Sequence, residues 1–280
     1  VSRRPASSSP RPYTGSPSTP PSSIPRAGHP PSRRHDLGQN DLVDARTIRA
    51  VVDAVAATRG PIVELAAGTG RLTTPLADLR RSLTAIELDP RRVDALRSRL
   101  PDAVRIVHGD LLTAALPRAP HVVVGNLPFH LTTAALRRLL AAEHWTTAVL
   151  IMQWEAARRR AGIGGGSQLT AQWSPWFSFR VDRRIPSTAF RPRPAVDAAL
   201  LLVDRRRTPI VPSPERVAYQ RWVGAVFSVP GSATLALARV DGTPRRAARQ
   251  RCRRAGIDAE RAVSRITAEQ WGALWASRPR

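Results

Sequence analysis

The chain of 280 residues holds a single cysteine, Cys252, which excludes a disulfide framework and a cysteine-based zinc site and fits a reducing compartment. Lysine is absent, so all 44 basic residues are arginine. That bias fits a GC-rich coding sequence and by itself assigns no function. The six histidines lack ligand spacing, so no metal is expected. No stretch approaches the run of about 18 apolar residues that a membrane-spanning helix needs. The basic N-terminal segment also lacks the apolar core of a secretory signal. The expectation is a cytoplasmic, monomeric protein with no membrane partner.

Acid is scarce as well, and unevenly so. Against 44 basic residues stand 21 acidic ones, for a net charge of +23. Residues 1–34 carry 6 Arg and no acid, 35–204 carry 22 Arg against 16 acids, and 205–280 carry 16 Arg against 5 acids. The middle is ordinary and both ends are strongly basic. Such ends attract polyanions, nucleic acid ahead of an anionic membrane. Residues 1–34 contain nine Pro and nine Ser and no apolar period. They cannot bury enough surface to offset the cost of ordering, so disorder is expected there.

From about residue 35 the pattern becomes that of a folded domain. Apolar periodicity predicts helices over 42–58, 72–79 and 131–142. Another is opened by Asp89-Pro90, since Asp accepts from free N–H groups and Pro suits the first turn. Short apolar runs predict strands at 62–65, 83–88, 104–107, 121–124, 147–152, 177–185 and 198–203. Strands alternating with helices indicate an α/β fold with a parallel sheet, ending in an antiparallel pair. A basic, Pro-containing linker over 205–214 leads to Ala- and Arg-rich helical segments near 215–228, 244–255 and 267–276. Three bodies are therefore expected: a tail over 1–34, a catalytic domain over 35–204 and a small all-helical domain over 205–280. Trp271 and Trp275, four apart, are read as core anchors of the last. Arg245, Arg246, Arg249, Arg251, Arg253 and Arg254 span too many helix directions for one stripe and are read as a solvated, phosphate-attracting surface.

Chemistry collects at the strand ends. Glu64-Leu65-Ala66-Ala67-Gly68-Thr69-Gly70 follows one strand and precedes a helix, where glycines let backbone approach a ligand. A dinucleotide fingerprint would need a third glycine at position 73, which is Thr73. Glu87 ends the next strand, 17 residues beyond Gly70, where a carboxylate can accept both hydroxyls of a ribose. Asp110 follows the third strand at the same sheet edge. Three strand-end acids together favour a nucleoside pocket. Asn126-Leu127-Pro128-Phe129 then follows the strand at 121–124. An Asn oxygen and the next carbonyl can both accept from an exocyclic amine, Pro stiffens the turn, and the ring offers a flat surface to a base. Accepting both amine hydrogens turns the nitrogen lone pair toward an electrophile. This is amine methylation chemistry, and it needs no strong general base.

In order and spacing, these motifs resemble the rRNA adenine N6-methyltransferase family over about residues 35–205. Gln39-Asn40, Ile86-Glu87-Leu88-Asp89, Gly109-Asp110 and Phe190-Arg191-Pro192-Arg193-Pro194-Ala195-Val196 belong to the same pattern. Arg158-Arg159-Arg160 with Gly164-Gly165-Gly166, and the basic helical tail, resemble the erythromycin-resistance (Erm) branch. The resemblance implies a Rossmann-like S-adenosyl-L-methionine-dependent methyltransferase domain with a C-terminal helical domain. It implies that Asn40 and the Leu42 backbone lie against S-adenosylmethionine, with Ala66, Gly68 and Gly70 beneath its methionine portion. Glu87 would hold the ribose and Asp110 the cofactor adenine. Asn126 and the Leu127 carbonyl would hold the target amine in the turn stiffened by Pro128. Phe129 would stack on the target base, and Phe190 would close over the flipped adenine.

Three positions depart from the family pattern. Asp41 stands where Phe is usual, Ala66 replaces the first glycine of Gly-x-Gly-x-Gly, and Trp154 stands where Erm proteins carry Arg, removing one cation near the RNA face. The reaction implied is methyl transfer to adenine N6 in 23S rRNA, acting before full subunit assembly and giving macrolide, lincosamide and streptogramin B resistance. The alternatives are a small-subunit rRNA adenine dimethyltransferase and a non-catalytic RNA-binding or transcription-assisting protein on the same fold.

Overall fold

The computed structural model describes residues 40–279. The Pro/Ser-rich segment expected to be disordered lies outside the described residues, as does Gln39. The strands are β1 (Asp41–Leu42), β2 (Ile62–Leu65), β3 (Leu83–Glu87), β4 (Val104–His108), β5 (His121–Asn126), β6 (Trp145–Gln153), β7 (Phe177–Ile185), β8 (Phe190–Arg191) and β9 (Ala198–Arg205). The α-helices are α1 (Ala45–Ala56), α2 (Thr73–Ala77), α3 (Pro90–Arg99), α4 (Thr132–Ala141), α5 (Trp154–Arg160), α6 (Gln168–Trp173), α7 (Arg216–Ser228), α8 (Ala233–Val240), α9 (Arg245–Arg254) and α10 (Ala268–Ala276).

Seven strands form one sheet in the order β4-β3-β2-β5-β6-β9-β7, while β1 and β8 pair separately. The neighbours from β4 to β6 are parallel, and β9 and β7 add the antiparallel end. The chain builds outward from β2 through β3 to β4, then returns to lay β5 against the other side of β2. The strand order therefore reverses between β2 and β5, and the crevice outside their carboxyl ends is where such sheets bind ligands.

Parallel strands are covered on both faces, so their residues must be apolar on both. Val122, Val123 and Val124 of β5 meet this demand and have no exposed surface. Alternate residues feed opposite layers. Val123, Leu150, Met152 and Leu201 face one core with Leu136 and Leu139 of α4. Val122, Val124, Val149, Ile151 and Leu200 face the other, with Val51 and Val55 of α1.

The helix predicted over 42–58 begins later. Asp44 caps α1, its Oδ2 accepting from Thr47 N at 2.8 Å, and Leu42 instead pairs in β1 with Phe190 of β8. The predicted N-cap at Asp89 and Pro90 in the first turn of α3 are present. The short helices α5, α6 and α8 carry no periodic stripe long enough to announce themselves. Edge strand β7 loses register between Val181 and Arg183 and exposes Arg180, Arg183 and Arg184, which blunts pairing with another chain.

Residues beyond 204 share the first core. Tyr219, Trp222, Leu237, Trp271 and Trp275 belong to the same apolar cluster as Leu150, Leu201 and Trp145. Tyr219 donates to the Ala171 carbonyl at 2.8 Å, and the Gln172 and Gln220 side chains each donate to the other's backbone carbonyl. Among the described residues no helix is long and apolar enough to cross a membrane.

Candidate active site

The turn after β2 alternates in hand. Ala66, Gly68 and Gly70 have φ of 57°, 59° and 78°, a region that costs an L side chain about 1–2 kcal/mol. Glycine meets that demand at 68 and 70, and Ala66 carries it with a methyl group. At Gly70 a Cβ would also stand 2.6 Å from Leu96 Cδ2, so this glycine seats α3 against the turn.

One backbone amide from this turn and one from the N-cap of α3 converge on the end of β3. Gly68 N donates to Glu87 Oε2 at 2.7 Å, and Asp89 N donates to Oε1 at 2.9 Å. Each oxygen keeps a second lone pair for a ligand. Asp110, beyond β4, ties its own turn by accepting from Leu112 N at 2.7 Å. At the end of β5, Asn126 Nδ2 donates to the Asn40 carbonyl at 2.8 Å. Phe129 opens a short 3-10 turn, where its carbonyl accepts from the Thr132 hydroxyl at 3.0 Å.

These groups share one cleft, open to solvent. Of the residues singled out from the sequence, Asn40, Leu42, Ala66, Gly68, Glu87, Asp110, Asn126, Leu127, Pro128 and Phe129 line it. Gly70 and Phe190 do not. Phe190 was expected over the target base; its ring is fully buried behind Phe129, edge-on with centroids 6.2 Å apart. The pairing of its backbone with Leu42 and the gain from burying an aromatic ring hold it there.

The cleft is also bordered by the strand-end acid Glu64 and by Arg92. Glu64 is buried, and its Oε2 finds no hydrogen-bond partner among the described residues. Burial, opposed by the Thr73 hydroxyl and reinforced by the Glu87 charge, pushes its carboxyl up to about 8. Arg92 of α3 meets Asp41 at 3.5 Å, so the departure at 41 becomes an ion pair. Beside Trp154, which opens α5, stands a cation from β7. The Arg184 guanidinium lies 5.1 Å from the Trp154 ring centroid and pairs with Asp197 at 2.8 Å. The Arg251 reading is also corrected. Arg251 is buried, pairing with Asp241 and donating to the Leu274 carbonyl at 2.9 Å.

The crevice thus lies at the switch point of the sheet, with an amide-bearing turn at one end. A family model described as "Ribosomal RNA adenine dimethylase" matches residues 31–276. The chain belongs to this family. It is 48% identical over 199 residues to an rRNA adenine N-6-methyltransferase of Corynebacterium diphtheriae, covering 71% of this chain and 79% of that one. It is 40% identical over 243 residues to the mycinamicin-resistance protein MyrB of Micromonospora griseorubida, covering 86% and 78%. The crystal structure of the 23S rRNA methyltransferase ErmE matches it with a TM-score of 0.78 at 32% identity, covering 85% of this chain and 98% of that one. The Rossmann-like methyltransferase fold, adenine N6-methyltransferase activity and S-adenosyl-L-methionine as methyl donor follow from membership. The likeness to MyrB and ErmE supports the Erm branch. The residues present fit this donor. The turn brings backbone under a ligand, Glu87 offers lone pairs to hydroxyls, and the unpartnered Glu64 oxygen borders the same cleft.

Proposed function

We propose that this chain transfers a methyl group from S-adenosylmethionine to N6 of an adenine in 23S rRNA, and so confers resistance to macrolide, lincosamide and streptogramin B antibiotics. The observation that carries the mechanism is the Asn126 amide. With its nitrogen committed to the Asn40 carbonyl, its oxygen is left to accept.

Bound S-adenosylmethionine supplies an activated methyl. Asn126 Oδ1 accepts one hydrogen of the target amine and the Leu127 carbonyl the other, aiming the nitrogen lone pair at that methyl. Pro128 stiffens the turn, and Phe129, backed by Phe190, presents its face to the flipped base. Glu87 holds ribose hydroxyls and Asp110 the adenine amine. Asn40, Leu42, Ala66 and Gly68 shape the floor of the cleft, and Gly70 seats α3 against the turn. Positioning and fixed dipoles therefore do the work, without a general base.

The division of labour follows the charge. Residues 35–204 carry the chemistry, while 205–280 and the basic stretch 1–34 supply arginines to RNA phosphates. The substrate is 23S rRNA before full subunit assembly, met in the cytoplasm by a monomer without a metal. Labelled S-adenosylmethionine with protein-free 23S and 16S RNA, followed by nucleoside mass spectrometry, tests this reading. Methylated N6-adenosine in 23S RNA alone is expected. Label confined to 16S RNA, or none in either, overturns it.

A further inference from the structure

Besides Asp41, three acids border the cleft, Glu64, Glu87 and Asp110, and the carboxylates of Glu87 and Asp110 would repel that of a ligand. Two arginines border it, Arg71 and Arg92. Arg71 is exposed, whereas Arg92 is held in place by its ion pair with Asp41, Nη1 to Oδ1 at 3.5 Å. The pair closes over the glycine turn. A Cβ built on Gly68 would come 3.1 Å from Arg92 Nη1 and 3.4 Å from Asp41 Oδ1. Asp41 directly follows Asn40, whose carbonyl holds Asn126, so the pair joins the transfer end of the cleft to α3.

The two side chains keep 23% and 29% of their surface exposed, a setting in which an ion pair adds little to stability. Its charges are nevertheless set side by side on a ligand-sized opening. A zwitterion has the complementary order: its carboxylate suits the fork of a guanidinium, and its ammonium suits a carboxylate. Inserting it would leave every charge paired.

We propose that Asp41 and Arg92 form a charge-matched clamp for the amino-acid group of the methyl donor, Arg92 taking the carboxylate and Asp41 the ammonium. The proposal rests on the reading of this cleft as the S-adenosylmethionine site. It makes Asp41 a binding residue and Gly68 the floor on which the clamp closes.

Calorimetry on the full chain with two ligands tests it. S-adenosylhomocysteine carries the amino-acid group, and 5′-methylthioadenosine keeps the nucleoside and the thioether without it. Asp41→Asn and Arg92→Gln should each weaken S-adenosylhomocysteine on the order of ten-fold, while methylthioadenosine affinity stays within about two-fold. Arg92→Lys, which keeps the charge, should restore most of the loss. Methylthioadenosine binding also reports that each variant has folded its cleft. Equal weakening of both ligands, or unchanged S-adenosylhomocysteine affinity, overturns the clamp. If the unmodified protein binds neither ligand, the cofactor reading fails first and the clamp with it.

Discussion

Asn126 donates its side-chain amide to the carbonyl of Asn40, a residue 86 positions earlier in the chain, at 2.8 Å. On the proposed reading Asn40, just before β1, thus leaves the amide oxygen to serve the target base. Asn126→Ala should lower the single-turnover methylation rate by about 10²–10³, the usual cost of one preorganised polar contact at a developing charge. RNA affinity, spread over many phosphate contacts, should remain near that of the unmodified protein. A filter-binding assay beside single-turnover kinetics separates the two; a rate close to that of the unmodified enzyme would place the transfer site elsewhere.

Ala66 holds a left-handed conformation at φ 57°. Ala66→Gly should therefore raise stability by about 1 kcal/mol, with the flexibility that glycine adds to the unfolded chain reducing the gain. Urea titrations of the two proteins check the sign. A loss of stability would mean that the methyl packs well enough to offset its strain.

Glu64 takes up its proton more readily in the folded protein than in the unfolded chain, its carboxyl moving from 4.5 to about 8. The folded state then binds more protons between those values. Its stability contribution is fully present below pH 4.5 and is lost as pH rises through about 8, at no more than about 1.4 kcal/mol per pH unit. Ligand-free protein should accordingly unfold more easily at pH 8 than at pH 5.5, and Glu64→Gln should flatten that difference. Denaturation curves that keep the same pH slope in the variant would assign the slope to other groups.

Two arginines of α9 should behave in opposite ways. Arg251 is buried against Asp241, so Arg251→Ala leaves a buried carboxylate unpaired and should cost about 3–5 kcal/mol of stability. Arg249 is half-exposed and pairs with Glu260 at 2.9 Å. Arg249→Glu should leave melting nearly unchanged and flatten the salt dependence of RNA binding by counterion release. Thermal melts and affinities at several salt concentrations distinguish the two. An unchanged salt slope would remove Arg249 from the RNA footprint.

The sheet was legible because its signals are local. Each parallel strand is a short apolar run, and Glu87, Asp110 and Asn126 stand just where those runs stop, which puts them at one edge. What stayed hidden depends on register between distant segments. Nothing near Trp154 announces Arg184, and nothing near Asp41 announces Arg92. Arg205 looked like the start of a linker. It belongs to β9, with its guanidinium 5.1 Å from the Trp145 ring and donating to the Trp145 and Ala142 carbonyls, each at 2.8 Å. Helix α8 escaped because it buries Ala233, Thr234, Ala236, Leu237 and Ala238, which leaves little polar face to reveal a helical period.

The apolar cluster that runs from the sheet into the helical tail has a mechanical meaning. A hinge needs a seam where contacts are few, and here Trp176 meets Tyr219 edge-on across it, with ring centroids 5.5 Å apart, while Trp222 and Trp275 pack against Tyr219 from the tail side. Catalytic cleft and basic helices therefore meet a polyanion at a preset angle, as a rigid template. If Asn126 receives the target base as proposed, the bending required to bring an adenine out of its stack falls to the nucleic acid. A substrate whose loop is already loose enough to yield will be favoured over a stiff duplex carrying the same bases.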